Sequence, residues 1–256
     1  MMNDMQNRYG QLASWVYNLD KPVGRSFGDL EYYRQRLERC DGPILEPGVG
    51  NGRIFVPLLD SGVPIEGFDA SEEMLGYCRD ACRRRNLSPQ LTRQTFEEFS
   101  YDKRFAAIII PAGSFQLVTD VASATAVLKR FYDHLRPGGA LMLDLDPIGS
   151  FLGPSGSLRS WATEEGDLLT LAEQRVDIDY VAQTTLAHLR YEQWRAGSLI
   201  RTELDLFKLR WWGVEEMSLA LRSLGFEDVV MSGDYQYGRH PRQGDEIISV
   251  EARRPS

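Results

Sequence analysis

The chain has 256 residues, 43% of them hydrophobic, enough to bury a sizeable core in one large domain or a domain with an insertion, which excludes disorder. Lys plus Arg total 29 against 37 Asp plus Glu, a formal net charge of -8. A groove that tracks a phosphate backbone carries the opposite sign, so nucleic acid is not an expected partner.

No apolar run approaches the ~20 residues that span a bilayer. The opening "MMNDMQNRYGQLASWVYNLD" lacks the basic-then-apolar pattern of a secretory signal. The expected setting is therefore the cytoplasm, with no membrane contact. Cys78 and Cys82, four apart on a predicted helix, offer no pair for a metal site, and no metal is expected.

In chain order, "RYGQLASWVYNLD" reads as a short amphipathic helix carrying Tyr9, Trp15 and Tyr17, followed by "GRSFGDLEYYRQRL". From Arg39 to Leu145 short apolar runs alternate with helical patterns, which predicts βαβ units and a mostly parallel sheet. "PILEPG" is the first strand and "GRIFVPLLDSG" the helix behind it. "PIEGFDA" is the second strand, and "SEEMLGYCRDACRRRN" a helix with Ser71 as N-cap. "LTRQTF" is a third, weaker strand. "RFAAIIIPAG" is wholly apolar and so belongs in the centre, covered on both faces. "VASATAVLKRFYDHL" is a helix, "RPGG" a turn and "ALMLDLDP" the fifth strand.

Beyond Pro147 the texture changes. "GSFLGPSGS" reads as a loop, and residues from about Arg159 to Trp212 lack helical periodicity. "LAHLRYEQWRAGSLIRTELDLFKLRWW" predicts two long antiparallel strands turning at Ala196-Gly197-Ser198. A helix, "VEEMSLALRSLGF", and two strands, "EDVVMSG" and "EIISVEARR", complete the chain. An α/β core is thus interrupted by a β-rich segment and then resumed. The division expected is 1–40 as an N-terminal helical cover, 41–150 with 213–256 as core, and 151–212 as insertion.

The chemistry concentrates in "ILEPGVGNGRIF" and "GFDAS". Glycines at 48, 50 and 52 let a ligand lie against bare backbone beside outward-pointing helix N–H groups. Asp69 closes the second strand, so its carboxylate emerges at the carboxyl edge where doubly wound sheets bind ligands. There it can accept two hydrogen bonds from vicinal ribose hydroxyls. The dinucleotide fingerprint G-x-G-x-x-G fails, because Arg53 follows Gly52. Glu46 would repel a pyrophosphate but suits an ammonium group. A ligand with an adenosine at one end and an amino group at the other fits both acids.

On "LEPGVGNG", "GFDASEEML", "RFAAIIIPAGSF" and "HLRPGGALMLDL", residues 44 to 145 resemble the core of the class I S-adenosylmethionine-dependent methyltransferases. The resemblance implies a Rossmann-like seven-stranded doubly wound α/β sheet of order 3-2-1-4-5-7-6, with the β-rich insertion roofing the active site. It implies S-adenosylmethionine as cofactor and S-adenosylhomocysteine as product. By the same resemblance Gly48, Gly50 and Glu46 serve the methionine half and Asp69 the ribose, while Ala70 and Met74 lie along the adenine. Thr95 (or Glu97) and the Phe96 N–H would meet the adenine edge, and Pro111 would lie near the methyl. Tyr17 and Arg25 are the candidates for the cofactor carboxylate. Ser114, Phe115 and Gln116 fall where the methyl emerges, beside the acceptor.

In the insertion, Tyr191, Trp194, Trp211 and Trp212 are expected either to line the acceptor pocket or to close a homodimer interface. Gln116, His188 and Tyr17 are the candidate catalytic side chains, His188 only if its strand points it inward. The acceptor expected is a small molecule: an amine, a sugar or a secondary metabolite. Two readings stay beside this one, aminopropyl transfer and a catalytically silent cofactor-binding protein.

Overall fold

The computed structural model describes residues 9–256; the first eight residues of the expected N-terminal cover lie outside the described residues. The wholly apolar run Phe105–Ile110 forms β4, buried along nearly its whole length at the centre of a seven-stranded sheet. Around it stand β1 (Ile44–Pro47), β2 (Ile65–Asp69), β3 (Gln90–Arg93), β5 (Leu135–Leu145), β10 (Glu227–Gly233) and β11 (Ile248–Arg253), in the order β3-β2-β1-β4-β5-β11-β10. The first five run parallel, while β11 is antiparallel to both β5 and β10. This is the order expected from the sequence, with the seventh strand of the core reversed.

Period-two alternation sorts the sheet residues onto two faces. Ile108, Ile110, Leu141 and Leu143 pack against α5 (Val121–His134) and α7 (Val214–Ser223). Ala107, Ile109, Ala140 and Met142 pack against α2 (Asp29–Leu37), α3 (Phe55–Asp60) and α4 (Glu72–Arg83). Helices on both faces leave the carboxyl edge of the parallel strands as the open rim.

Three local expectations change. The "RPGG" turn is instead a bulge inside β5, where pairing to β4 jumps from Leu135 to Ala140 as the partner advances only from Phe105 to Ala107. The Gly138 N–H is taken by the Arg254 carbonyl, so the segment stays extended. Helix α3 begins at Phe55, because residues 48–54 are used by the loop itself. Strand β3 starts at Gln90 and stops at Arg93, after which the Thr95 carbonyl accepts from Phe99 N–H and closes a turn.

After α6 (Ile148–Leu152) the insertion forms four antiparallel strands: β6 (Ser157–Ala162), β7 (Leu168–Asp179), and the expected pair β8 (Thr184–Arg195) and β9 (Ser198–Arg210). The β8–β9 turn falls at Ala196 and Gly197, both at positive φ, as a two-residue hairpin of right-handed twist requires. Helix α1 (Gln11–Asp20) lies on one face of this sheet. Leu12, Ala13 and Val16 are buried against Leu169, Leu171, Ala187, Leu189 and Tyr191.

Candidate functional site

The rim begins at the loop after β1. Gly48 and Gly50 adopt φ of 69° and 57°, the left-handed region that a β-carbon disfavours. A β-carbon on Gly48 would stand 3.2 Å from Phe96 Cζ, and one on Gly50 3.2 Å from Met74 Cε. Both flanking side chains therefore close on bare backbone. The Gly50 N–H donates to one Asp69 oxygen at 2.8 Å and the Ser71 N–H to the other at 2.9 Å. Burial raises the Asp69 pKa, and these backbone donors pull it down. Each oxygen keeps a lone pair for a further donor.

Glu46 is 3% exposed, and its Oε2 has no hydrogen-bond partner. Burial drives its pKa well up, with the Arg53 charge opposing. A buried acid without a donor is costly and signals a missing partner. A molecule with an ammonium at one end and a diol at the other would supply donors to Glu46 and Asp69 across the bare loop.

Arg53 is the residue that sequence reasoning missed. It entered only as a departure from the dinucleotide fingerprint, yet it is 5% exposed. Its guanidinium pairs with Asp29 at 2.5 Å and donates to the Arg25 carbonyl at 2.8 Å. It also reaches the Tyr17 hydroxyl, whose pKa burial nevertheless holds above its ordinary value, so Tyr17 remains protonated. Arg25 itself is exposed, with its guanidinium 5.2 Å from the centroid of the Phe27 ring, and only its backbone joins the cluster. The buried cation beside Tyr17 is thus Arg53. Tyr9 lies close by: its ring meets Tyr17 edge-on at 6.0 Å, and its carbonyl accepts from Ser71 and Ser14.

Along the adenine side of the expected site, Met74 is buried with its N–H on the Ser71 cap. Ala70 is exposed, and its carbonyl accepts from Arg93. Thr95 and Phe96 are half-buried, Phe96 edge-on to Phe68, while Glu97 is exposed.

Beyond β4, Pro111 is buried and its carbonyl accepts from the backbone and hydroxyl of Ser114. Ser114 is half-buried near Gly48. Phe115 and Gln116, expected beside the acceptor, are both fully buried. Phe115 belongs to the core, 5.8 Å from the Trp212 ring. Gln116 spends its amide on the backbone of Asp146, accepting from its N–H at 2.8 Å and donating to its carbonyl at 3.2 Å. The one-turn 3-10 helix Ser114–Leu117 turns both side chains inward, a twist that linear order does not display.

In the insertion, Tyr191 is buried against α1, and Trp211 packs on Phe151 and Tyr180. Trp212 is core and Trp194 half-buried. Ala187, Leu189 and Tyr191 face α1, so alternation turns the half-buried His188 to the opposite face of β8. Among the described residues no group of His, Cys, Asp or Glu is arranged to hold a metal. No helix there is long and apolar enough to cross a membrane.

Residues 44–139 match a family model described as a methyltransferase domain. The chain is 23% identical to the cypemycin N-terminal methyltransferase of a Streptomyces species, over 94% of this chain and 96% of that one. It is 24% identical to the glycine/sarcosine N-methyltransferase of Aphanothece halophytica, over 96% and 89%. Among solved structures it resembles the sugar N-methyltransferase KedS8 of Streptoalloteichus, with a TM-score of 0.76, 17% identity and coverage of 100% of this chain and 98% of that one. The CcbJ methyltransferase of Streptomyces caelestis gives a TM-score of 0.75 at 22% identity, covering 99% and 100%. At such identities the structures speak for the fold, and the matched domain and full-length relatives for the chemistry. The orphaned acid, the bare loop and the second acid 23 positions on — Glu46 to Asp69 — fit S-adenosylmethionine as methyl donor, and residues 44–139 form an S-adenosylmethionine-dependent methyltransferase domain.

Proposed function

We propose that this enzyme methylates the nitrogen of a small amine. The observation that carries the reading is where the imidazoles lie. His134 ends α5 at the far edge of the sheet, bonded to the Arg130 carbonyl and packed on Phe99; His188 faces away from α1; His240 is exposed. A hydroxyl holds its proton far more tightly than an ammonium does and calls for a base of imidazole strength at or before attack, whereas an amine has only an ammonium proton to shed, which a carboxylate can accept. The full-length relatives named above are N-methyltransferases, which supports the same reading.

The bound sulfonium carries an already activated methyl group, so the protein's part is alignment and exclusion of water. In this reading Asp69 holds the ribose diol and Glu46 the amino group. Tyr17 and Arg53 bind the carboxylate, and Met74, Ala70, Thr95 and Phe96 border the adenine. Pro111 and Ser114 border the methyl, and the antiparallel sheet with α1 covers the rim. The acidic net charge and the covered rim favour a small acceptor over a polynucleotide.

Transfer from labelled S-adenosylmethionine to glycine, sarcosine and an amino sugar, beside their hydroxyl counterparts, tests this directly. Label in the amines alone is expected. Label only in the hydroxyl compounds would overturn the amine reading.

A further inference from the structure

Asp146 follows β5 and is held in an unusual way. The fully buried Gln116 amide takes both of its backbone groups, which fixes the residue but leaves its side chain free. That carboxylate lies over the turn after β4: a β-carbon on Gly113 would meet Asp146 Oδ2 at 2.9 Å. Gly113, at φ 68°, thus leaves the room the carboxylate occupies. Among the described residues no donor is hydrogen bonded to this carboxylate, and Lys21 at the end of α1 is the charge that faces it. Lys21 also stands 5.3 Å from the centroid of the Tyr17 ring, so the pair lies between the cofactor-side cluster and the methyl-side turn.

Resting on the amine reading above, we infer that Asp146 is the acceptor's anchor: it binds the ammonium of a primary or secondary amine and takes one of its protons before attack. One N–H bond breaks and one O–H bond forms on Asp146, which leaves the nitrogen lone pair free to attack; the proton later returns to solvent. Lys21 supplies the opposing charge near the carboxylate until the amine takes that place. The electrostatics agree with that exchange. Burial raises the Asp146 pKa while Lys21 lowers it, and burial together with Arg53 lowers that of Lys21. Asp20 raises Lys21, and Arg159 beyond it lowers it.

The test uses the full enzyme with glycine, sarcosine and the amino sugar as probes. Asp146→Asn keeps the shape and should bind S-adenosylhomocysteine within about twofold of wild type by calorimetry. Its kcat/KM for the amine should fall at least tenfold, and the acidic limb of the pH–kcat/KM profile should vanish. Lys21→Ala should move the other way and lower KM for the amine, since the resident cation no longer competes. An Asp146→Asn enzyme with unchanged amine kinetics and pH profile overturns the inference while the amine reading stands. A wild-type enzyme that neither binds nor methylates any of the amines overturns both.

Discussion

At the scale of single residues, the cofactor cradle is built on an acid kept at a cost. Glu46 is buried and its Oε2 has no hydrogen-bond partner, so the protein bears a desolvation penalty that, in the site proposed above, a bound ammonium would relieve. Glu46→Gln should therefore have opposite effects on the two states. Losing a charge-assisted bond of ~1.5–3 kcal/mol weakens cofactor binding by about tenfold or more. The empty protein should melt at the same or a higher temperature. Calorimetry and a melting curve on one preparation read both; unchanged affinity would remove Glu46 from the site. The alternate glycines, Glu46 and Asp69 are legible in sequence because one strand–turn–helix and the next strand end dictate them. Arg53 is not, because its role comes from Asp29 and Tyr17, which precede it by 24 and 36 positions and meet it only after the chain folds back.

Among the elements, α1 is bound by the insertion rather than by its own cap. Gly10 offers no side chain, and the first N–H groups of the helix go to Glu203 on β9: Leu12 at 2.9 Å and Ala13 at 3.3 Å. Arg159 on β6 pairs with Asp20 at the other end. Glu203→Ala should uncap the helix at a cost of about 1 kcal/mol. Amide exchange at Leu12–Val16 should accelerate while that of β4 stays unchanged, and equal protection in both proteins would show that the apolar face alone holds α1.

A second joint links α2, β5 and the loop before β11. Asp144 is fully buried and accepts from Tyr33 at 2.8 Å, Tyr235 at 2.9 Å and the Ala112 N–H at 2.9 Å. Burial pushes its carboxyl up to about 7, against 3.8 in the unfolded chain, although those three donors pull it down. Between these values the folded state binds more protons than the unfolded state. Stability from this group is therefore present at low pH and lost as pH rises toward 7, by an amount on the order of 4 kcal/mol. Asp144→Asn can keep the three contacts, its amide nitrogen donating to Tyr33. It should flatten the pH dependence of Tm between about pH 4 and 7, and an unaltered slope would assign that dependence elsewhere.

For the whole molecule, three apolar clusters share one architecture: one on each face of the seven-stranded sheet, and a third between α1 and the antiparallel sheet. Trp212 joins them, because it ends the insertion yet is buried beside Phe115 in the main core. S-adenosylhomocysteine at 100 times its Kd should stabilise the folded protein by about 2.7 kcal/mol. If α1 covers the ligand as proposed, the same addition should protect the α1 amides and Tyr191 together; protection confined to the glycine loop would mean that the cover does not close on it.

Sequence alone determined the alternation of strands and helices, the central place of the apolar β4, the strand order through family resemblance, and the acid–glycine–acid pattern of the cradle. These rest on short-range periodicity and on backbone conformations that glycine permits, so neighbours along the chain suffice to set them. Tertiary structure decided which way side chains turn at the rim. A single turn of 3-10 helix sent Phe115 and Gln116 inward, strand alternation sent His188 outward, and a bulge replaced the turn in β5. It also brought Arg53 to Tyr17 and Lys21 to Asp146, pairs separated by 36 and 125 positions. Such pairings depend on where whole layers pack, and no local pattern in the chain encodes that.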